Sequence, residues 1–291
     1  MRNIPYRLQI LAPSNLDGVG IIGTIKQDPA AHAACMSSMQ MLRARTYLQD
    51  GAIQPWQIDE QGRHRVAEDE RCWHFLLVND EQTVIGCARY LLHPHTASFA
   101  DLKLAHSPLA HNSQWASHLQ SSVEADLCAV RQQNLHYAEL GGWAIAEDYR
   151  NTRAALEIML GTYAFGALVG HCIGSCTATV RNNSSSILRR IGGASYANAG
   201  IELPCYPDVH YGCTMELLRF DSRQPATRFQ PLVEDMKAKL VLSPVLQAAS
   251  VAQEKLFSNS LHALQSALAE TGLRVTSITQ EAFEEVKVRP V

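Results

Sequence analysis

At 291 residues the chain is long enough for one large domain, or one domain with an appendage. Hydrophobic residues make up 46% and charged residues 18%, which excludes a chain too polar to bury a core. The formal net charge of -3, from 25 basic and 28 acidic residues, lacks the positive field that nonspecific nucleic-acid binding needs. No apolar run follows Met-Arg-Asn-Ile-Pro-Tyr-Arg at the N-terminus, and no window reaches the ~18 uninterrupted apolar residues of a membrane span. A cytoplasmic protein without an integral membrane segment is expected.

In chain order, residues 6–11 read as a strand and 15–23 as a Gly-rich loop. Asp28-Pro29 caps and opens a helix that runs to Leu48 and stops at Asp50-Gly51, since proline suits the first helical position. Residues 57–70 are a polar loop. Two apolar runs, 73–79 and 83–92, flank Asn79-Asp80-Glu81-Gln82 and predict a β-hairpin. Gly86 inside the second run suggests a bulge or a close backbone approach. Residues 93–113 are irregular, 114–133 helical, 136–145 a strand, 152–169 a helix, 172–180 a strand, 184–191 a short helix and 209–220 a strand. Residues 221–230 read as a linker, and 231–240 and 244–270 as helices, the second opened by Ser243-Pro244 and stopped by Thr271-Gly272. The striped helix over 244–270 can pack on the first domain or on a second subunit, so a homodimer is among the expected assemblies. The organisation expected is 1–220 as the main domain with 1–34 as an N-terminal extension, the linker, and 231–291 as a helical C-terminal extension.

Eight cysteines lie at 35, 72, 87, 128, 172, 176, 205 and 213 without a Cys-x-x-Cys pair. They read as small reduced core residues, and no zinc spacing is present, so no metal is expected. His93-Pro94-His95 lacks a carboxylate or cysteine at ligand spacing and reads as loop histidines.

Residues 137–193 carry the chemistry. A strand ends in Gly141-Gly142-Trp143, an arginine turn follows (Arg150, Arg153), then an apolar helix, a strand, and Arg181-Asn182-Asn183 before the short helix. Unpaired N–H groups at helix starts after strands are natural anion sites. A phosphate-bearing ligand is expected there. Two cations at a helix start oppose its dipole unless an anion binds or solvent takes them.

Over about residues 35–220 this order resembles the GNAT acyltransferase superfamily. The resemblance implies a central, mostly antiparallel, splayed sheet flanked by helices, an α/β fold. Arg150-Asn151-Thr152-Arg153-Ala154-Ala155 resembles the loop that holds the pyrophosphate of coenzyme A or the phosphopantetheine arm of an acyl carrier protein; Arg153 replaces its middle glycine, and an arginine can contact phosphate directly. The tyrosine acid that ordinary members use falls on Leu188. Within the superfamily the chain is similar to acyl-homoserine lactone synthases and long-chain N-acyl amino acid synthases. Arg43 and Tyr47 share one helix face at that subgroup's spacing, Glu68-Asp69 precede the Trp73 strand, Val84-Ile85-Gly86-Cys87-Ala88-Arg89 resembles its Val-Val-Gly-x-x-Arg strand, and Glu139 occupies its glutamate position. Gly141-Gly142 stands where the lactone synthases have Ser-Arg, which argues against S-adenosylmethionine and for an amino-acid acceptor.

The resemblance implies roles. Glu139 and Arg89 form the catalytic pair, with Glu139 a base whose pKa burial would raise. Trp143, Ile145, Arg150, Arg153, Ala154, Ala155, Asn183 and Ser185 hold the donor, with a backbone N–H near Trp143 stabilising the oxyanion. Arg43, Tyr47 and Asp69 hold the acceptor. The apolar helix 154–169 and the hairpin line an acyl pocket. Simpler structural readings stand beside these: an outward-facing Arg89, a Glu139–Arg89 salt bridge, N-capping by Ser184 to Ser186, and packing of Arg43 and Tyr47. The activity implied is transfer of a fatty acyl chain from acyl carrier protein or acyl-CoA to the amino group of an amino acid or similar small amine, with no tightly bound cofactor. The alternatives are an acetyl-CoA-dependent N-acetyltransferase and a non-catalytic ligand-binding protein of the same fold.

Overall fold

Asp28 accepts a hydrogen bond from the Ala31 N–H and caps helix α1 (Pro29–Gln49), with Pro29 at its first position. This is the local chemistry expected of an Asp-Pro start. The computed structural model describes residues 5–14, 23–198 and 200–248. Strands β1 (Tyr6–Leu11) and β2 (Thr24–Gln27) precede α1, and the hairpin β3 (Trp73–Asn79) and β4 (Val84–His93) follows it. Then come α2 (Ala116–Gln133), β5 (His136–Ile145), α3 (Ala154–Leu168), β6 (Cys172–Thr179) and α4 (Ser184–Ile191). Short strands β7 (Ala194–Ser195), β8 (Ala197–Asn198), β9 (Ile201–Glu202) and β10 (Tyr206–Asp208) lead to β11 (Cys213–Asp221), α5 (Gln230–Leu242) and β12 (Pro244–Gln247).

One sheet carries the order β10-β11-β6-β5-β4-β3-β1-β12-β2, with β7 also paired to β11. Most pairs are antiparallel; β5–β6, β1–β12 and β12–β2 are parallel. The mixed, mostly antiparallel α/β sheet flanked by helices is the GNAT-like fold expected. α3 packs its apolar residues on one face, where Phe75, Tyr90 and Phe165 meet at ring centroids 5.1 to 6.2 Å apart. α1 and α2 cover the other face. The hairpin and α3, expected to line an acyl pocket, fill this part of the core against each other. No helix among the described residues is long and apolar enough to cross a membrane.

Three expectations are corrected here. Pro244–Gln247 is a strand between β1 and β2, not the first turn of a helix. Ser-Pro opens a helix or an extended segment equally well, and two parallel neighbours decide it. The rest of the expected 244–270 helix lies outside the described residues from 249 onward, as does most of the 15–23 loop. Residues 221–230 are not a free linker: Ala226 N–H donates to Ile191 O, and Ser222 Oγ accepts from Cys172 N–H. Val233, Met236 and Leu240 of α5 belong to the same core as α3. The cysteines divide: Cys72, Cys87, Cys172 and Cys176 are buried, whereas Cys128 and Cys205 are exposed.

Candidate active site

The site is made where β5 parts from β6. Their parallel pairing runs from His136 opposite Cys172 to Leu140 opposite Cys176 and stops. Residues 141–145 continue along β4 alone, with Cys87 opposite Ala144 and Arg89 opposite Gly141. Two residues of β5 thus oppose one of β4, a bulge, and Gly142 turns it at φ +64. Ala146 N–H donates to Ile85 O. Alternation along an antiparallel ladder therefore aims the Ile145 N–H and C=O into the gap on the β6 side.

Gly141 and Gly142 also admit two arginines. A Cβ on Gly141 would stand 3.2 Å from an Arg89 guanidinium nitrogen, and one on Gly142 would stand 3.2 Å from Arg89 Cβ and 3.5 Å from Arg43 Nη1. Replacing Gly142 by Ala should destabilise the protein by about 1–2 kcal/mol, because the left-handed backbone and the crowding act together. A fall in the urea midpoint with an unchanged m-value is the expected reading.

Beneath the glycines lies a charge network. Arg43 and Asp69, 1% and 2% exposed, form a two-pronged ion pair at 2.8 and 2.5 Å. Gln40 donates to Asp69 at 3.0 Å, and Arg43 also donates to His64 O at 2.8 Å. Burial pushes the Asp69 carboxyl up, but the Arg43 hydrogen bonds and charge outweigh it and hold it at about 2. Arg89 is held more loosely, 3.6 Å from Glu68 and 4.0 Å from Asp69. Lys103 shares the same Glu68 oxygen, Oε2, at 3.3 Å. A cavity of ≈ 400 Å³, lined by Gln40, Arg65, Val66, Ala67, Asp69 and Glu70, opens beside this network.

Glu139 lies on the same face as Arg89, through the register Leu91 opposite Glu139 and Arg89 opposite Gly141. Its partner is His93 at 2.9 Å rather than Arg89, and it accepts the N–H groups of Lys103 and Leu104 at 2.9 Å each. The expected rise in its pKa is corrected. Burial pushes the carboxyl up, but the His93 bond and charge and the two N–H donors outweigh burial and bring it below its ordinary value. Glu139 is therefore a settled anion.

Tyr47, on the last turn of α1, donates to Trp143 O at 3.3 Å. At the end of β5, Arg150 Nε lies 3.5 Å from Ile145 O and its guanidinium 3.9 Å from Asp50. Asp50 also bonds Asn182 at 3.1 Å and accepts from Arg181 through its carbonyl. The left-handed residue of the turn is Asn151, φ +61, while Arg153 is in the ordinary helical region as the N-cap of α3. This explains how an arginine replaces glycine at 153. Asparagine, which tolerates the left-handed region, takes the special backbone position instead. Ala154 N–H is satisfied by Thr152 Oγ1 at 3.2 Å, and the Ala155 N–H belongs to the open first turn. The structure separates the two arginines. Arg150 stands at the gap, whereas exposed Arg153 lies on the side of Tyr6 and Glu157, which are hydrogen bonded at 3.0 Å.

Asn183 is exposed at φ +58 as the N-cap of α4. Its helix carries Leu188, the residue expected at the tyrosine acid's position, in the core. Ser185 is buried and donates to Glu216, which Arg189 also holds. Ser185 thus belongs to a structural network on the far side of β6. Two residues of the site had no signal in the sequence. His64 comes from the polar 57–70 loop, and Tyr211 from the turn before β11, where Arg89, Arg43 and Glu68 act on its hydroxyl.

Residues 42–160 match the GNAT acetyltransferase domain family. No curated protein sequence matches the chain. Among solved structures, the AHL synthase LasI is 14% identical over 76% of this chain and 91% of its own, with a TM-score of 0.47. The CoA-dependent acyl-homoserine lactone synthase BjaI, solved with SAM and isopentyl-CoA, is 13% identical over 88% of this chain and 100% of its own, at 0.48. FeeM, an N-acyl amino acid synthase from uncultured soil microbes, is 13% identical over 80% and 96%, at 0.43.

Proposed function

From the match of residues 42–160 to the GNAT acetyltransferase domain family, we propose that the chain moves a fatty acyl chain from a thioester donor to the amino group of an amino acid. The observation that carries this reading is the gap between β5 and β6, whose unpaired 141–145 edge lies directly beside a buried, zwitterionic floor.

The donor arm, on acyl carrier protein or coenzyme A, lies in the gap and completes the strand edge at Trp143 and Ile145. Its phosphate meets Arg150 and the Ala155 N–H at the start of α3, with Asn183 across the gap; Arg153 adds charge from further away. The acceptor carboxylate meets Arg89, whose own contacts are long enough to share. Both terminal nitrogens of Arg43 are taken by Asp69 and His64 O, so it shapes this floor rather than binding directly. Tyr47 marks the place of attack through its bond to Trp143 O.

The amine lone pair attacks the thioester carbonyl. A β5 backbone N–H stabilises the oxyanion. The C–S bond then breaks as the C–N bond is completed, and the thiolate takes a proton. Glu139 stands four residues from Trp143, roughly 13 Å at the rise of a strand. The amine proton therefore leaves through water in its direction, drawn by its fixed negative charge, and passes to solvent.

The test is thiol release. The purified protein, given acyl-CoA and acyl carrier protein donors from two to sixteen carbons with a panel of amino acids, should release free thiol fastest with long chains. Fastest release from acetyl-CoA would favour a short-chain acetyltransferase. Donor binding without thiol release would favour a non-catalytic protein.

A further inference from the structure

Beside the proposed place of attack stands a ring nitrogen that the proposed reaction leaves unused, as it does the buried Arg43 Nε and Trp143 Nε1. His64 is pinned from both sides: its N–H donates to Gln40 O at 3.1 Å, and its carbonyl accepts from Arg43 at 2.8 Å. Its ring stands edge-to-face against Tyr47, with centroids 5.8 Å apart and planes at 66°. Tyr47 in turn touches Trp143 O, within the unpaired part of β5. The His64 backbone is thereby held, and its ring rests against the Tyr47 ring beside Trp143 O. Yet its Nδ1 is buried and has no hydrogen-bond partner among the described residues.

Buried polar atoms are almost always paired, and an orphan at a site marks strain or a missing partner. His74 Nδ1 is also unpartnered, but His74 is fully enclosed at 0% exposure and out of reach of a ligand. His64 is only half-buried, in the loop that walls the acceptor floor. The groups acting on its ring are Arg43, Asp69, Arg89 and Lys103. Burial first, and Arg43 second, hold its pKa down at about 4, so the ring is neutral at pH 7. With its proton on Nε2, such a ring offers a free lone pair at Nδ1.

We propose that His64 Nδ1 accepts a hydrogen bond from the amino group of the acceptor and aims its lone pair at the thioester carbonyl. This rests on the acyl-transfer reading above. An ammonium ion has no lone pair to attack with, so the site must hold the amine uncharged. A neutral acceptor atom beside Arg43 and Arg89 does this, whereas a carboxylate in its place would favour the ammonium. His64 is a positioning residue: the proton lost during attack still leaves through water toward Glu139.

The experiment compares His64→Ala, His64→Asn and His64→Gln in the thiol-release assay, with donor affinity measured separately. Asparagine places its amide at about the Nδ1 position and glutamine at about the Nε2 position. The loss of one hydrogen bond is worth roughly tenfold. His64→Ala and His64→Gln should raise KM for the amine about tenfold with donor affinity unchanged, and His64→Asn should restore it to within about threefold. A wild-type protein that releases no thiol with any amine sinks the acyl-transfer reading and this one with it. An active wild type whose KM is the same in all three variants overturns this proposal alone. So does a loss that asparagine and glutamine restore equally, because that would be a packing effect.

Discussion

Replacing Asp69 by Asn should cost about 3–5 kcal/mol of stability, the range for breaking a buried ion pair by removing one partner. The reason lies with Arg43, which is 1% exposed and would be left charged with no counter-ion inside the wall of the site. Arg89, 4.0 Å from Asp69, is too far to help and carries the same sign. Chemical denaturation of both proteins measures the difference. The pH dependence has a defined sign. The Asp69 carboxyl is held at about 2 in the folded protein against its ordinary 3.8. Its contribution is therefore fully present above pH 3.8 and is lost as pH falls through about 2. By linkage this is worth about 2 kcal/mol. The wild type should lose about that much more stability than Asp69→Asn between pH 4 and pH 2. Parallel curves for the two proteins would mean that the ion pair does not stabilise the fold.

Replacing Arg89 by Ala should reduce kcat/KM for an amino acid by about a hundredfold, the size of a lost charge-assisted contact in a partly desolvated site. The side chain is held at 3.6 Å and 4.0 Å from its carboxylates, so it is the cation of the floor with contacts to spare. The decisive comparison is with the amide of the same amino acid, which lacks the carboxylate. Both enzymes should use the amide equally poorly if Arg89 binds that carboxylate. An equal fall for amino acid and amide would mean that Arg89 only supports the fold, through Glu68 and the glycines above it.

Much of the framework was readable because it is local. The Asp28-Pro29 start, the hairpin and strand His136–Ile145 depend on neighbours a few residues away. β2 and β12 were not readable, because each gains its structure from a parallel partner more than two hundred residues distant. The site divides in the same way. Arg89, Glu139 and the two glycines lie on strands where the family resemblance points to them. What those residues touch depends on loops. Glu139 is settled by His93 and by the Lys103–His106 turn, and this reversed the pKa expected from burial alone. Arg43 and Asp69 are joined across 26 positions by the fold of the 57–70 loop, and that loop also delivers His64. Such a loop has no periodicity to read, so its side chains could be placed only by the folded chain.

The central claim is the transfer of a long acyl chain to an amine in the β5–β6 gap. Mass spectrometry of organic extracts from cells overexpressing the protein, beside the same cells expressing Glu139→Ala, tests it most directly. The account predicts N-acyl amino acids with long chains in the first extract and a strong loss of them in the second. Extracts with no such product, from cells in which the folded protein is abundant, would contradict it.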